Sequence, residues 1–265
     1  MNLITSQLAF AYSPEREILS SVTLSLGPGD VMFILGANGT GKTTLVECMS
    51  GLRLPLRGSV TIDGQNLYQL SVRTRAQNIG LVPQMHEPVF AFTVEQTVLM
   101  GRAPHLGLFG RPSRQDHHVV GEVIEAVGIQ HLRHRAYTKI SGGERQLALI
   151  ARGLAQGAQC LFMDEPVAHL DPHHQHDVMS VVRQLADEGF SFVVTSHLPN
   201  HALLYGDWVA FLTDGRADVQ GTPGTTITEQ TLKVAYDMDF EIVEGSTGSR
   251  AVLPRLYRNP NPMTW

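Results

Sequence analysis

Short apolar runs recur along the chain and are separated by stretches of helical periodicity. The runs are VMFIL (31–35), CLFM (160–163), SFVVT (191–195) and DWVAFLT (207–213). Each has the length and composition of a buried strand. Strands that alternate with helices are typical of a mainly parallel sheet. The pattern therefore predicts an α/β fold built on such a sheet.

Two regions depart from this alternation. Near the start, SQLAFAY (6–12), LSSVTLSL (19–26) and GSVTIDGQ (58–65) alternate apolar and polar residues, as antiparallel strands with one exposed face do. Residues 93–156 carry mainly helical signals, punctuated by the Gly and Pro residues of GRAPHLGLFGRPS. We therefore expect an antiparallel β subdomain and a helical insert at about 86–156.

The pattern weakens beyond Gly221. TEQTLKVAY predicts a short helix and DFEIV a strand, whereas the tail RNPNPMTW is expected to be frayed. The sequence thus predicts one domain over residues 1–221 and a C-terminal extension over 222–265, whose role it does not indicate.

Composition and charge limit the classes of function. The 265 residues carry a formal net charge of −5, which gives no general electrostatic reason to bind nucleic acid or anionic lipid. No apolar run approaches the roughly 18 residues of a spanning helix, and the start lacks a signal-peptide layout. Cys48 and Cys160 fall in apolar elements and are interpreted as buried and reduced. We therefore expect a cytoplasmic chain.

The segment GANGTGKTT follows the first buried strand and fits the P-loop pattern G-x-x-x-x-G-K-[ST]. Its glycines let backbone N–H groups surround a phosphate, and the next helix adds the positive end of its dipole. Lys42 is expected to reach the β- and γ-phosphates, and the Thr43 hydroxyl to bind Mg²⁺. The residues predicted to bind the nucleotide are Gly36, Asn38, Gly39, Thr40, Gly41, Lys42, Thr43 and Thr44.

Two adjacent carboxylates, Asp164 and Glu165, end the apolar run that begins at Cys160, where open α/β sheets bind ligands. Such neighbours repel each other unless a cation lies between them, so the pair predicts a metal. Asp164 is predicted to hold Mg²⁺ through its water shell. Glu165 is predicted to polarise the water that attacks the γ-phosphate.

Three further side chains are candidates for the same site. His197 follows a buried strand and is expected at the sheet edge that carries Glu165, in contact with the γ-phosphate. Gln84 follows a short apolar run and could contact Mg²⁺ or the attacking water. For Tyr12, stacking on a base and burial in the core have equal support.

A second glycine-containing helix start occurs in KISGGERQLALIARGLAQ (139–156). Its apolar residues recur at helical spacing, which predicts an amphipathic helix. The Ser-Gly-Gly entry is expected to leave the first backbone N–H groups free for a phosphate or another backbone. The chain therefore carries two candidate anion sites.

Histidines are concentrated in AHLDPHHQH (168–176). Structural zinc requires about four ligands at defined spacing, often with cysteine, and the neighbours His173 and His174 point apart on a helix. We interpret this segment, including His169 and His176, as a solvated helix start, with metal binding as the less favoured alternative.

Taken in order, these motifs resemble the nucleotide-binding subunit of an ABC transporter over about residues 3–220. The motifs are Tyr12, the P-loop 36–44, Gln84, ISGGE (140–144), LFMDE (161–165), AHLD (168–171) and His197. Ile140, Glu144 and Val167 differ from the residues most common in the family. None of these differences removes a group that touches phosphate.

The resemblance implies an ATP hydrolase that acts as a homodimer. In this family two copies pack head to tail, and SGGE of one copy closes over ATP held by the other. The resemblance thus assigns Ser141, Gly142, Gly143 and Glu144 to the partner's nucleotide, with Asp171 along the same seam. It also implies two transmembrane permease subunits and, indirectly, a substrate-binding protein, at the cytoplasmic face of the inner membrane.

The segment VLMGRAPHLGLFGRPSRQD (98–116) resembles importers of metal chelates, namely ferric siderophores, haem and cobalamin, with molybdate importers close by. Leu106, Leu108 and Phe109 lie among Gly and Pro and are expected to form an exposed patch that docks a permease helix. Packing of these residues within the insert is the alternative.

Two other classes of protein compete with an importer subunit. A soluble ABC ATPase acting on nucleic acid or ribosomes is disfavoured by the acidic balance and the single cassette. A P-loop kinase would have no use for SGGE, AHLD or His197. An exporter is less clearly excluded, although exporters often fuse permease and ATPase in one chain.

Overall fold

The computed structural model describes residues 1–13, 16–84, 90–107, 109–246 and 248–255. Numbered along the chain, the strands are β1 (Leu3–Ser13), β2 (Arg16–Leu26), β3 (Val31–Leu35), β4 (Arg57–Ile62), β5 (Gln65–Asn66), β6 (Ile79–Val82), β7 (Cys160–Asp164), β8 (Ser191–Ser196), β9 (Trp208–Thr213), β10 (Arg216–Gly221), β11 (Phe240–Glu244) and β12 (Arg250–Pro254). The α-helices are α1 (Lys42–Met49), α2 (Val72–Asn78), α3 (Val94–Leu99), α4 (Arg114–Ala126), α5 (Gly142–Ala155), α6 (Pro172–Asp187), α7 (Pro199–Tyr205), α8 (Pro223–Thr226) and α9 (Glu229–Tyr236). Short 3-10 turns cover Leu67–Gln69, Met100–His105, Gln130–Leu132 and Tyr137–Lys139.

The central sheet has the strand order β10-β9-β3-β8-β7-β6. β3 runs parallel to β8 and β9, and β7 runs parallel to β6 and β8. Only the edge strand β10 is antiparallel to its neighbour in this sheet. The four apolar runs of the sequence form the adjacent strands β9, β3, β8 and β7, which confirms the predicted α/β fold.

Both faces of the central sheet are covered. Along β3, Phe33 and Leu35 belong to one buried cluster with residues of α5 and α6. Met32 and Ile34 belong to a second cluster with residues of α1 and the antiparallel sheet. Because a strand between two layers has no exposed face, its sequence is apolar without interruption.

The antiparallel sheet has the order β2-β1-β4-β5 and confirms the predicted β subdomain. In β2, Val22, Leu24 and Leu26 are buried, whereas Thr23 and Ser25 between them are exposed. This alternation is the pattern that the sequence showed.

The helical insert lies between β6 and β7 and consists of α3, α4 and α5, which pack on one another. The periodicity predicted that Leu147, Ile150, Ala151 and Leu154 of α5 face a core. The last three are buried, and Leu147 is partly buried against the same cluster. The lower bound predicted for the insert, about residue 86, lies outside the described residues. Among the described residues, no helix has the length and apolar character needed to cross a membrane.

The C-terminal extension contains the predicted helix, as α9, and the predicted strand, as β11. The sequence did not indicate β12, which pairs antiparallel with β11. Its five residues RAVLP offer too short an apolar run to stand out. The tail expected to be frayed lies in 256–265, outside the described residues.

The register of the parallel strands brings the ends of β3, β7 and β8 to the same edge of the central sheet. Leu35 lies opposite Ser196, and Asp164 lies opposite Thr195. The loops that follow β3, β7 and β8 therefore begin side by side, at the carboxyl edge where parallel sheets bind ligands.

Candidate functional site

The loop between β3 and α1 curves around the side chain of Lys42, the first residue of α1. Gly39 and Gly41 have φ angles of 82° and 102°, in the left-handed region that favours glycine. Lys42 Nζ donates hydrogen bonds to the carbonyl oxygens of Gly36 and Ala37, each at 3.0 Å. The ammonium group therefore lies inside the curve of the loop, at the place where a phosphate would neutralise it.

Lys42 also contacts the acidic residue that follows β7. Its Nζ lies 3.3 Å from Glu165 Oε1, and Glu165 Oε2 lies 3.1 Å from His197 Nδ1. The Lys42 and Glu165 side chains are only 5% and 12% exposed, so each charge needs a nearby partner. Ammonium, carboxylate and imidazole thus form one connected row along the sheet edge.

The backbone of Glu165 adopts a conformation that is costly for this residue type. Its φ is 44°, in the left-handed region, which costs a residue other than glycine roughly 1 kcal/mol or more. The Glu165 N–H donates to Thr195 Oγ1 at 2.9 Å and so helps to hold this conformation. Such strain is concentrated at functional sites.

Asp164 is fixed by two hydroxyl groups. Thr43 Oγ1 donates to its Oδ2 at 2.7 Å, and Thr195 Oγ1 donates to its Oδ1 at 2.6 Å. Gln84 lines the same cleft as Thr43. Hydroxyl, carboxylate and amide oxygens are the ligands that Mg²⁺ prefers, usually together with water and substrate phosphates. The side-chain oxygen atoms of Thr43, Asp164 and Gln84 are therefore suitable ligands for a Mg²⁺ ion bound together with a nucleotide.

Lys42, Thr43 and Glu165 line a common cleft of about 420 Å³. It is lined by Tyr12, Ile18, Asn38, Gly39, Gly41, Lys42, Thr43, Thr44, Gln84 and Glu165. All of these except Ile18 were candidates from the sequence. Ile18 is one apolar residue in an alternating strand, so nothing in the sequence could have marked it as a lining residue.

The Tyr12 ring is 60% exposed, so the alternative that placed it in the core is wrong. Its Oη lies 3.1 Å from Thr44 Oγ1, and the Arg53 guanidinium lies 4.9 Å from the ring centroid. Sequence reasoning missed Arg53. Its signal was a cation in the otherwise apolar stretch LRLPL just after α1. Tyr12 and Arg53 together offer flat surfaces on which a base can stack.

Gln84 lies between two cavities. It lines the P-loop cleft and also a second cavity of about 270 Å³, which contains Arg145 and Gln146 of α5. Glu165 likewise lines both. The two side chains therefore stand between the nucleotide cleft and the helical insert. Residues 85–89, which continue from Gln84, lie outside the described residues.

The Ser-Gly-Gly start of α5 differs from the sequence expectation in one respect. The expectation that its first N–H groups are free is wrong at Glu144, whose N–H donates to Ser141 Oγ at 3.3 Å. The Glu144 carboxylate in turn accepts the Ser141 N–H at 2.6 Å. This capping box arises because Glu stands three residues after a serine N-cap.

The SGGE residues do not line the chain's own P-loop cleft, although Gly142 lines the adjoining cavity that shares Gln84 and Glu165 with it. A Cβ on Gly142 would come within 2.9 Å of Leu170, and one on Gly143 within 2.6 Å of the His174 ring. The glycines therefore permit close packing of α5 against the start of α6. None of the described residues 141–144 lines the cleft that holds Lys42.

Asp171 caps α6 and pairs with a histidine. Its Oδ1 accepts the N–H groups of His173 and His174 at 3.0 and 3.1 Å, and its Oδ2 lies 2.6 Å from His174 Nδ1. This hydrogen bond lowers the pKa of Asp171 and raises the pKa of His174. Within the described ranges, no three His, Cys, Asp or Glu side chains come together as metal ligands would, those of 169–176 included.

The apolar segment of the insert is exposed in part. Phe109 is 94% exposed, so the alternative of packing within the insert is wrong for this residue. Leu106 is partly exposed, and Leu108 lies outside the described residues. One exposed ring is ordinary, but Phe90, Phe92 and Met100 in and beside the insert are exposed as well, and a group of such side chains is a candidate contact for another molecule.

Comparison with protein families gives the same assignment as the motifs. The family model described as "ABC transporter" matches residues 19–168. The chain belongs to the ABC transporter family. Tyr12, Asp171 and His197 lie outside residues 19–168, which the family model matches. Their roles in the site therefore depend on the geometry described above.

Individual relatives are import proteins by name. The chain is 38% identical over 229 residues to the hemin import ATP-binding protein HmuV of Pseudomonas putida, covering 84% of the chain and 88% of the relative. It is 38% identical over 239 residues to the cobalamin import ATP-binding protein BtuD of Halobacterium salinarum, covering 89% of the chain. The match spans only 60% of the length of the cobalamin relative.

A solved structure is similar over nearly the whole chain. It is described as a metal-chelate type ABC transporter in an inward-facing conformation, and its matching chain is 29% identical. The TM-score is 0.83, and the match covers 97% of this chain and 98% of the other. The fold is therefore that of an ABC ATPase, including the region beyond residue 220.

Proposed function

We propose that this chain binds ATP with Mg²⁺ in the P-loop cleft, hydrolyses it, and thereby powers import through a membrane permease. The observation that carries the proposal is a single cleft lined by Lys42, Thr43 and Glu165. Thr43 is hydrogen-bonded to the Asp164 carboxylate, and the Glu165 carboxylate to the His197 imidazole.

Phosphate binding requires Lys42 to exchange its partners. In the described arrangement its ammonium is shared by two loop carbonyls and the Glu165 carboxylate. A triphosphate offers a stronger, charge-assisted set of acceptors. When Lys42 turns to the β- and γ-phosphates, it releases Glu165, so ATP binding frees the group needed for the next step.

Glu165 and His197 are proposed to carry out hydrolysis. A carboxylate in contact with the attacking water can accept a proton or orient the water for in-line attack. His197, 3.1 Å from that carboxylate, restricts its orientation and can reach the γ-phosphate. Gln84, at the boundary of the cleft, is proposed to contact Mg²⁺ or the same water.

Thr43 and Asp164 are proposed to hold Mg²⁺, Thr43 directly and Asp164 through water. When bound, Mg²⁺ neutralises the negative charge that develops on the phosphates. The 2.7 Å hydrogen bond between the two side chains supports this shared role, and Thr43 lines the cleft.

A head-to-tail homodimer is proposed to complete the site. The cleft is lined by P-loop residues, and SGGE lies elsewhere on the chain. Ser141 to Glu144, with Asp171 nearby, are therefore available to a nucleotide held by a second copy. The negative charge shared by the two copies would hold the dimer in ATP, and hydrolysis would loosen it.

The permease is proposed to dock on the helical insert. Large apolar side chains are exposed there and beside it, namely Phe90, Phe92, Met100 and Phe109. Gln84 lies between this region and the nucleotide cleft, so movement of the insert can be passed to the site. Two permease subunits would hold the chain at the cytoplasmic face of the inner membrane.

The proposed cargo is a metal chelate or related cofactor: a ferric siderophore, haem, cobalamin or molybdate, handed over by a substrate-binding protein. The support is the hemin and cobalamin import relatives and the metal-chelate type transporter with the same fold. The same relatives disfavour a soluble ABC ATPase that acts on nucleic acid or ribosomes.

The test is purification of the chain with its membrane partner and measurement of ATPase activity with each chelate-loaded binding protein. We expect co-purification with a multi-span permease and stimulation by one class of chelate. ATPase activity that is stimulated by RNA or ribosomes, with no permease recovered, would contradict the proposal. A Phe109→Ser variant should lose stimulation and keep basal hydrolysis.

A further inference from the structure

The loop between β7 and α6, residues 165–171, touches two parts of the molecule. It begins with Glu165, which lines the P-loop cleft, and it ends with Asp171, the N-cap of α6. Within the loop, Leu170 packs so close to the start of α5 that a Cβ on Gly142 would come within 2.9 Å of its side chain. The loop therefore joins the chain's own catalytic edge to the SGGE residues proposed for a partner's nucleotide.

The Gln175 side chain, in the first turn of α6, folds back onto this loop. Its Nε2 donates to the carbonyl oxygens of Val167 and Leu170, at 3.2 and 2.9 Å. Carbonyl oxygens can only accept hydrogen bonds, so the amide nitrogen must face them. Both N–H groups of the amide are thereby used on the loop backbone, and the amide oxygen is left for another donor.

That donor is His201 in α7, the helix that follows His197. Its Nε2 lies 3.2 Å from Gln175 Oε1, and since the amide oxygen only accepts, the imidazole must donate from Nε2. The Nδ1 atom of the same ring is buried and has no hydrogen-bond partner among the described residues. Burial and the neighbouring His197 lower the pKa of His201. The ring is therefore neutral, with its proton on Nε2.

The bond between Gln175 and His201 lies close to the catalytic residues. His201 lines one small cavity together with Glu165 and His197. Glu165 has a φ of 44°, and such a conformation persists only where the surrounding structure holds it. The carbonyl oxygens that Gln175 binds follow Glu165 in the same short loop, so their two hydrogen bonds belong to the structure that can hold it.

We propose that Gln175 and His201 are positioning residues of the ATPase site, which together clamp the loop 165–171 between α6 and α7. The clamp keeps Glu165 at the catalytic edge in a fixed relation to the contact of Leu170 with α5. Turnover and the surface offered to a second copy both depend on it. The inference rests on the proposed ATP hydrolysis and head-to-tail dimer.

The test is His201→Leu, which removes the donor and keeps an apolar side chain. We expect kcat to fall about threefold to tenfold, the effect of losing one hydrogen bond. In a Glu165→Gln background, the ATP-dependent dimer seen by size-exclusion chromatography should need about threefold to tenfold more protein to form. ATP affinity, measured by calorimetry, should be that of the parent, because His201 is not among the residues that line the P-loop cleft.

Two further variants separate positioning from a general loss of packing. His201→Gln is the conservative change, since its amide can still donate to Gln175 Oε1, and it should restore kcat and the dimer. Tyr205→Phe is the matched control. The Tyr205 hydroxyl forms a second bridge between α6 and α7, 2.7 Å from His176 Nδ1, and among the described residues neither side chain is hydrogen-bonded to the loop. Tyr205→Phe keeps the ring that packs edge-on with His201 and should behave like the parent.

A double variant tests whether His201 acts through the amide. Gln175→Met should lower kcat and weaken the dimer at least as much as His201→Leu, because it removes the bonds to both loop carbonyls. Adding His201→Leu to Gln175→Met should then cost nothing further. Additive losses would show that the two residues act independently and would contradict the clamp.

Parental kcat and dimerisation in His201→Leu, with a normal melting transition, would overturn the inference. A loss that His201→Gln does not restore, or that Tyr205→Phe reproduces, would overturn it as well. Failure of the proposed function has a different signature, which the parent itself shows. If the Glu165→Gln parent forms no dimer in ATP, the proposed homodimer is wrong and the inference falls with it.

Discussion

The two glycine-containing helix starts of this chain are built differently. Helix α1 begins after Gly41 in a left-handed conformation, with no side-chain cap and no acidic residue in its first turn. Helix α5 begins after its N-cap residue Ser141 and carries Glu144 in its first turn, and the two form a capping box. The N–H groups and dipole of α1 are therefore open to an anion, whereas those of α5 are partly satisfied within the chain.

Because of this difference, we expect the two helix starts to bind a phosphate with different strength. An open helix start with a buried lysine can hold a triphosphate alone. A capped start with its own carboxylate binds anions weakly, so it would engage a phosphate only when another surface already holds it. We therefore propose one strong site, at the P-loop, and one weak site, at Ser141 to Glu144, with the strong site of each copy closed by the weak site of the other.

The largest effect is expected where a carboxylate at the strong site becomes an amide. Glu165→Gln should lower kcat by about a hundredfold or more, because an amide cannot accept the proton of the attacking water. ATP affinity should be retained or improved, since the ion pair at 3.3 Å no longer competes for Lys42. Steady-state ATPase and equilibrium binding check both. Glu144→Gln, the matched change at the weak site, should keep turnover. Parental turnover in Glu165→Gln would remove this residue from catalysis.

The second largest effect is expected at Lys42, the cation of the strong site. Lys42→Ala should weaken ATP binding by about tenfold to a hundredfold, the range for losing a charge-assisted hydrogen bond. Lys233→Ala is the control, because that lysine is 66% exposed and pairs with Asp239 on the surface. Titration with a fluorescent nucleotide measures both. Equal affinities in the two variants would show that the curled lysine does not bind phosphate.

At the weak site, the expected change is in the formation of the ATP-dependent dimer. Ser141→Arg should leave ATP binding by the single chain within about twofold of normal, since Ser141 does not line the cleft. In a Glu165→Gln background it should abolish the ATP-dependent dimer seen by size-exclusion chromatography. Ser141→Ala controls for the lost cap, which costs about 1 kcal/mol of helix stability. A dimer that persists in Ser141→Arg contradicts the division between the sites.

The smallest effect is expected at the base-stacking end of the strong site. Tyr12→Ala should weaken ATP binding about threefold to tenfold, because a stacked aromatic ring contributes roughly 1 kcal/mol. Tyr12→Phe keeps the ring, loses only the contact with Thr44, and should bind nearly normally. If alanine and phenylalanine behave alike, the ring does not stack on the base.

The strong site could be predicted almost completely from the sequence, because its residues are grouped. The P-loop is contiguous, and Asp164, Glu165 and His197 each follow an apolar run that had to be a strand of the same sheet. The residues that were missed, Ile18 and Arg53, lie in ordinary-looking segments and reach the cleft only because the antiparallel sheet and α1 fold beside it.

The weak site and the C-terminal extension were predicted less well. The capping box at Ser141 and Glu144 satisfies N–H groups that we expected to be free. The sequence predicted the helix α9 but not its neighbours. Its position is decided by packing on β9, which pairs in the central sheet with β3, a strand from much earlier in the chain.

The amino-acid sequence alone determined the α/β class, the strand–loop–helix with the P-loop pattern, and the membership in the ABC family, because periodicity and contiguous motifs are local properties of a chain. Tertiary structure alone decided which side chains meet: Lys42 with Glu165, Thr43 with Asp164, and Tyr12 with Arg53. The physical reason is that such contacts are set by strand order and by the packing of distant elements, and neither is encoded in any short segment.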